Sequence, residues 1–255
     1  MNYVVIDLEF NGRRHYEIHP MEIIEIGAVK LNETVEIMDT FQSYVRPRFP
    51  IQEFALDFCG IDRGVLEASD PFPQVIRQFI DFCGGPCTLV AWGGTDFFQL
   101  LIDCKSNGIP TDWISGMIDM SKYYNGGLQQ ALIEHHMEFS GKQHSALDDA
   151  LQACRLLLMH KELVLTNNNY KPDQIKMVTG GIKKKIGMAL SQAAQRNQVL
   201  TWEEFSNDEE TQQYVSIMKL TEQEMGYIEH MFHKHFKQVY GRRTRARLRA
   251  LGIDI

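Results

Sequence analysis

Residues 3–10 read YVVIDLEF, and the order of polar and apolar side chains in this stretch decides the fold. Successive side chains of an extended chain point to opposite faces, so Tyr3, Val5, Asp7 and Glu9 share one face and Val4, Ile6, Leu8 and Phe10 the other. Both faces begin apolar, as they do in a central strand that is covered on both sides. Two carboxylates then complete one covered face. Burying them is costly unless positive charge meets them there, which makes Asp7 and Glu9 the first candidates for a functional site.

Outward from this strand, residues 22–31 (EIIEIGAVKL) predict a second strand and residues 34–45 a third, joined by a short polar turn at Asn32 and Glu33. Short helices are expected over 51–58 and 63–67. Residues 71–82 space Phe72, Val75, Phe79, Ile80 and Phe82 as an amphipathic helix does. A fourth strand over 88–92 ends at Gly93–Gly94, after which Thr95 is expected to cap a helix that runs to Cys104. Residues 113–120 contain a fifth strand, and 128–138 and 146–161 read as helices. Three consecutive strands followed by helix–strand alternation predict an α/β fold, a mixed sheet flanked by helices.

The polar, proline-punctuated run at 166–172 divides the chain into a domain over 1–165 and a mainly helical extension over 166–255. Within the extension, 186–199 and 212–218 look helical. A better-marked helix starts at Thr221, where Glu224 completes a capping box, and its stripe of Met225, Ile228, Phe232, Phe236 and Val239 runs out before Gly241.

At 255 residues and 44% hydrophobic, the chain can bury a real core, and 23% charge does not make it disordered. No apolar run approaches the roughly 20 residues that span a bilayer, and the first residues lack the order of a signal peptide. The five cysteines are an odd number, and Cys83 and Cys87 lack a second close pair to complete a zinc site. Reduced thiols, a cytoplasmic location and no membrane partner are expected. The net charge of −7 is uneven, −11 over residues 1–165 and +4 over 166–255.

Two further pieces join Asp7 and Glu9: Asp96 after the fourth strand, and His144-Ser-Ala-Leu-Asp-Asp149-Ala at the start of a late helix. The segments VVIDLEF, EIIEIGAVKL, WGGTDFFQLL and GKQHSALDDA resemble, in order and spacing, the DEDDh superfamily of 3′-to-5′ exonucleases. The nearest look is to the branch holding the histone-mRNA 3′ exonuclease and the sporulation inhibitor KapD. Asp-x-Glu alone is a weak signal, whereas four ordered blocks are specific. The resemblance covers residues 1–163 and leaves the last third of the chain unmatched.

It implies an RNase H-like fold and a site in which Asp7, Glu9, Asp96 and Asp149 hold two divalent cations, Mg²⁺ or Mn²⁺. His144 would accept the proton of the attacking water. The expected product is a 5′-nucleotide released from the free 3′ end of a single strand, RNA favoured and DNA allowed. The residue types suit that chemistry, because carboxylate oxygens are the natural ligands of Mg²⁺ and a histidine titrates near neutrality. Phe10, Asn11 and Ile24 are expected to meet the terminal nucleotide, Phe10 by stacking or otherwise as core, and Asn11 where the family often has Thr.

Simple helical spacing would pair His144 with Asp148, because positions i and i+4 share a face. The family pattern points instead to Asp149. If His144 lies just before the helix, helical phase does not bind it, and Asp149 aligns inward with Ala146, Ala153 and Leu156 while Asp148 meets solvent.

A different class of reading, a non-catalytic nucleic-acid-binding regulator that retains the fold, is disfavoured by the presence of all five residues. The basic tail with Arg242, Arg243, Arg245, Arg247 and Arg249 is expected to help hold nucleic acid. Its alternation with Ala246, Leu248 and Ala250 also fits a self-docking edge strand.

Overall fold

In the computed structural model, which describes residues 2–13, 18–162, 170–175 and 179–254, β1 (Asn2–Asn11) lies in the middle of a five-stranded mixed sheet. β2 (Glu22–Leu31) pairs antiparallel with β1, and β3 (Ile37–Tyr44) pairs antiparallel with β2. On the other side β4 (Cys87–Ala91) runs parallel to β1, and β5 (Ile114–Asp119) parallel to β4. The resulting order is β3-β2-β1-β4-β5. Val4, Val5 and Ile6 are buried on alternate faces of β1, the central placement that its pattern predicts.

β3 begins later than expected. Asn32 Oδ1 accepts the N–H groups of Thr34 and Glu36 and the Thr34 hydroxyl, and Val35 adopts φ 64°, so the turn closes over 32–36 before the strand starts.

Six helices of this unit are described: α1 (Glu53–Cys59), α2 (Arg63–Ala68), α3 (Phe72–Cys83), α4 (Gly94–Asn107), α5 (Leu128–Glu134) and α6 (Ala146–Met159). Ala150, Ala153, Cys154, Leu156 and Leu157 of α6 pack against Val5, Val29, Val90 and Ile118 of the sheet. Small alanines on that stripe let the helix come close to the strands. Leu56, Cys59, Ile61 and Leu66, from α1, α2 and the link between them, pack around Ile24 of β2. Two expected boundaries move. Gly93, at φ 109°, occupies the N-cap of α4, so Thr95 lies inside the helix rather than capping it. α5 stops at Glu134, ahead of His136, whose φ of 56° ends the helical path.

The chain forms two compact units, Met1–Gly12 with Met21–Lys176 and Arg13–Pro20 with Met177–Ile255. The boundary expected at 165/166 lies outside the described residues. Tyr170 exchanges backbone hydrogen bonds with Met117 of β5 (2.8 and 2.9 Å), which keeps 170–175 with the sheet. The inclusion of 13–20 in the second unit has no signal in the sequence.

The second unit is described as helical: α7 (Gly180–Gln195), α8 (Trp202–Ser206), α9 (Glu209–Met218), α10 (Glu222–Val239) and α11 (Arg242–Ala250). Thr221 and Glu224 form the expected capping box at the start of α10, and Thr201 with Glu204 forms another on α8. Phe205, Tyr214, Phe232 and Tyr240 are fully buried in its core. α7 starts earlier than the sequence suggested, and its Lys185 pairs with Asp208 at 2.6 Å and with Glu210. The edge strand considered for the arginine-rich tail is overturned. Residues 242–250 are helical, and of Ala246, Leu248 and Ala250 only Leu248 is buried, as a 3.6-residue period requires. No described helix is long and apolar enough to cross a membrane.

Candidate active site

Asp7 and Glu9 continue the face of β1 that Val5 begins, and that face looks toward α6. In the β1–β2 register Asp7 stands opposite Gly27, and Glu9 opposite Glu25. Cross-strand partners share a face, so three carboxylates and one glycine lie under the start of α6. A bulge follows between Glu9 and Phe10, where the pairing slips before Phe10 meets Ile23.

Gly27 has a purpose in this arrangement. A Cβ there would lie 2.0 Å from the carbonyl carbon of Ala146 and 2.1 Å from the Leu147 nitrogen. Only glycine lets the first turn of α6 rest on the sheet. Glu25, 1% exposed, uses that proximity: its Oε2 accepts the Ala146 N–H at 3.2 Å, and its Oε1 accepts Gln42 Nε2 at 2.7 Å. The carboxylate thus satisfies an orphan amide of the helix and complements the positive end of its dipole.

His144 precedes α6, with Ser145 as N-cap, and has φ 59°. Its backbone N–H donates to Asp149 Oδ2 at 2.9 Å, and its ring centroid lies 4.0 Å from that of Phe58 on α1. The two neighbouring aspartates therefore divide their duties. Asp149 lines a cleft of about 280 Å³ with Asp7, His144 and Trp92. Asp148 Oδ2 accepts the Lys142 N–H at 2.8 Å, so it braces the preceding loop instead of merely meeting solvent. Glu9, His144 and Asp149 offer potential ligand atoms that all lie within 4.8 Å of one another.

Crowding shows in the acidities. Burial pushes the Asp7 carboxyl well above its ordinary value, and the charges of Asp96, Asp149, Glu9 and Glu25 add to the effect. Glu9, 6% exposed, is pushed up to about 8, first by burial and then by Glu25, Asp149 and Asp96, with Lys142 pulling the other way. Burial raises Asp96 in the first turn of α4 to about 7, against hydrogen bonds from its own backbone and that of Leu8. Asp149 is raised by burial and held down by His144.

The three residues expected to meet a nucleotide fare differently. Phe10 is half-buried beside the bulge. Asn11, 3% exposed, donates from Nδ2 to the Pro50 carbonyl (3.2 Å) and accepts the Gln52 N–H on Oδ1 (3.0 Å). Its amide fastens the approach to α1 and does not face outward. Ile24 is fully buried and packs with Leu56, Cys59, Ile61 and Leu66.

A family model described as Exonuclease (RNase T) matches residues 4–157. This chain belongs to that exonuclease family. The probable 3′-5′ exonuclease KapD of Bacillus subtilis (strain 168) is 32% identical over 167 residues, which cover 60% of this chain and 81% of KapD. The 3′-5′ exoribonuclease 1 of Mus musculus is 31% identical over 156 residues, covering 53% of this chain and 45% of that protein. This exonuclease-family chain therefore spans less than half the length of the mouse relative.

Among solved structures, the nuclease domain of 3′hExo, a DEDDh family member bound to rAMP, is 27% identical with a TM-score of 0.56. The match covers 67% of this chain and 96% of that one. The mixed sheet and flanking helices have the RNase H-like fold of these exonucleases.

Four residues at this site escaped the sequence reading. Glu25 and Gly27 lie in a segment read only as a strand, although a glycine inside a strand is a signal of close backbone approach. Phe58 falls at the end of an expected short helix; it is 62% exposed and lies against His144. Trp92 reads most simply as sheet packing, but it forms part of the cleft wall, with Tyr124 5.1 Å behind its ring.

The geometry ranks the two aspartates. Asp149→Ala is expected to lower metal-dependent cleavage by more than about 100-fold, beyond the 10–100-fold usual for outer-shell partners. Asp148→Ala is expected to keep most activity while losing about 1 kcal/mol of stability with the Lys142 hydrogen bond. The opposite ranking would remove Asp149 from the cation site and put Asp148 there.

Proposed function

We propose that the protein is a divalent-cation-dependent 3′-to-5′ exonuclease that hydrolyses phosphodiester bonds of single-stranded nucleic acid from a free 3′ end and releases 5′-nucleotides. The convergence of Asp7, Glu9, Asp96, Asp149 and His144 at one end of the sheet carries this reading. RNA is the favoured substrate, since the mouse relative is named an exoribonuclease and the 3′hExo domain was solved with rAMP.

The donor set suits a pair of Mg²⁺ or Mn²⁺ ions. It is made of oxygens with one imidazole at its edge, and its buried carboxylates repel one another in a way that positive charge relieves. Asp7, Glu9, Asp96 and Asp149 would hold the ions. When bound, they would supply Lewis-acid stabilisation of the charge that gathers on the phosphate oxygens.

The protein's own groups do the rest. His144 is exposed, so its ring can reach a water in the cleft and take its proton as the water attacks phosphorus. Phe58 holds the ring from one side, and the Asp149 contact fixes the backbone beneath it. Glu25 and Gly27 set the height of α6 over β1 and with it the place of Asp149. The half-buried Phe10 and the wall at Trp92 offer apolar surface to a base. Five buried free thiols support a cytoplasmic location.

The test is a cleavage assay on single-stranded RNA and DNA of one sequence, 5′-labelled and 3′-labelled, with Mg²⁺ or Mn²⁺. The 5′-labelled strand should shorten progressively, the 3′-labelled one should yield labelled 5′-nucleotide at once, and chelation should stop both. A folded protein that binds these strands and cuts none with either ion would be the non-catalytic regulator instead.

A further inference from the structure

The arginines of α11 are not equivalent. Residues three, four and seven apart share a helical face, which places Arg242, Arg245 and Arg249 in one row. This row and Lys237 at the end of α10 border a cleft of about 520 Å³. No Asp or Glu is among the described residues that line it. The start of α11 opens into the same cleft: Gly241, the N-cap, offers no side chain to the first amides, and the first turn carries no acid. Free amides and the positive end of the helix dipole add to the arginines there.

The cleft is also held firmly. Leu248 anchors α11 by complete burial, and Tyr240 is fully buried with its hydroxyl donating to the Gln198 carbonyl (2.9 Å) and accepting the Leu200 N–H (3.2 Å). The Tyr240 carbonyl accepts Arg245 Nε at 2.7 Å, which uses one of five guanidinium donors and fixes the plane of the others. The remaining two arginines lie elsewhere: Arg247 donates to the Ala194 carbonyl (2.6 Å), and Arg243 does not border the cleft.

We propose that this cleft seats consecutive backbone phosphates of a single-stranded nucleic acid, as a contact separate from the catalytic carboxylates. The inference rests on the reading of the substrate as nucleic acid. From Arg242 to Arg249 the row is about 10 Å long at 1.5 Å per residue, longer than one phosphate group. Arginine's fork matches phosphate oxygens and keeps its charge at any working pH. A polyanion needs such a place here, because the −11 over residues 1–165 repels it and the +4 over 166–255 attracts it.

Removing the whole tail is the wrong test, since it would take the buried Leu248 with it. Adjacent arginines on different faces give a better one. Binding of a labelled single-stranded RNA is measured with the full chain in chelator, so that no cleavage intervenes and the outcome does not depend on the carboxylates. Arg242→Ala with Arg249→Ala should weaken binding about tenfold near 0.1 M salt and reduce the slope of log affinity against log salt by about 1.4. Arg242→Ala alone should give about half of each effect, and Arg243→Ala, an equal loss of charge, should give neither.

Equal affinities and slopes for wild type and the double variant, with melting temperatures unchanged, would overturn the proposal. So would an Arg243→Ala effect as large as that of Arg242→Ala, which would mean diffuse attraction, or a cleft that binds polyglutamate while ignoring RNA. An absence of cleavage in the assay above, together with the expected binding pattern, would remove the exonuclease reading and keep the cleft.

Discussion

Asp7→Asn is expected to lower turnover by more than about 100-fold and at the same time to make the metal-free protein more stable. The two effects have one cause. Asp7 lies among Asp96, Asp149, Glu9 and Glu25, so its charge is useful to a cation and a burden without one. The sign of the pH dependence follows. Carboxylates whose folded-state pKa values are raised keep protons that the unfolded chain has released, so stability falls as pH rises between those two points.

For Glu9, held near 8, and Asp96, held near 7, that window opens at the ordinary carboxylate range around 4 and closes near neutrality. Below it both states are protonated and the penalty is absent. The metal-free wild type should therefore melt at progressively lower temperature from pH 5 to pH 8, and Asp7→Asn should flatten the decline. Each kcal/mol relieved corresponds to about 2–4 °C at this size. Added Mn²⁺ should abolish the decline in the wild type and do so less well in the variant. Identical pH profiles for the two proteins, or near-normal turnover in Asp7→Asn, would remove Asp7 from the cation site.

Gly27→Ala should be nearly as damaging by a different route. The added methyl would meet the backbone of Ala146 and Leu147, at 2.0 to 2.3 Å, and no rotamer change can move a backbone aside. Either β2 or the start of α6 has to shift, at the 1–3 kcal/mol typical of overpacking, which lowers the melting temperature by at least about 2 °C. The shift would also lengthen the Ala146–Glu25 hydrogen bond and move Asp149 and His144 away from Glu9. A displacement of about 1 Å at a reacting centre can cost 100-fold in rate. Cleavage should therefore fall far more than stability does. A fully active Gly27→Ala protein would show that α6 does not depend on this close approach.

The period-two pattern of residues 3–10 sufficed to place β1 at the centre and its two acids on a single face, because burial on both sides leaves a signal within one strand. Asp149 was separable from Asp148 once His144 was allowed to stand before the helix, as Ser145 at the N-cap now requires. Glu25 was not legible as a site residue. Its importance comes from the register that sets it against Glu9 and from a partner far along the chain, and neither leaves a local trace. For Ile24 and Asn11, adjacency to the motif residues does not say which side chains face the cleft, and the bulge at Glu9/Phe10 alters the alternation. At α11 the alternation of Arg with apolar residues fits a strand, whereas the segment is a helix that buries only Leu248 of the alternating set.

The bond between Ala146 and Glu25 joins positions 121 residues apart. At a synthesis rate of about 5–20 residues per second, Glu25 is added to the chain roughly 6–24 s before its partner. Throughout that interval Asp7, Glu9 and Glu25 lack Asp149, His144 and the helix end that later covers them. The acidic end of β1 and β2 can thus be completed only late in synthesis, once α6 has been made and packs on the sheet.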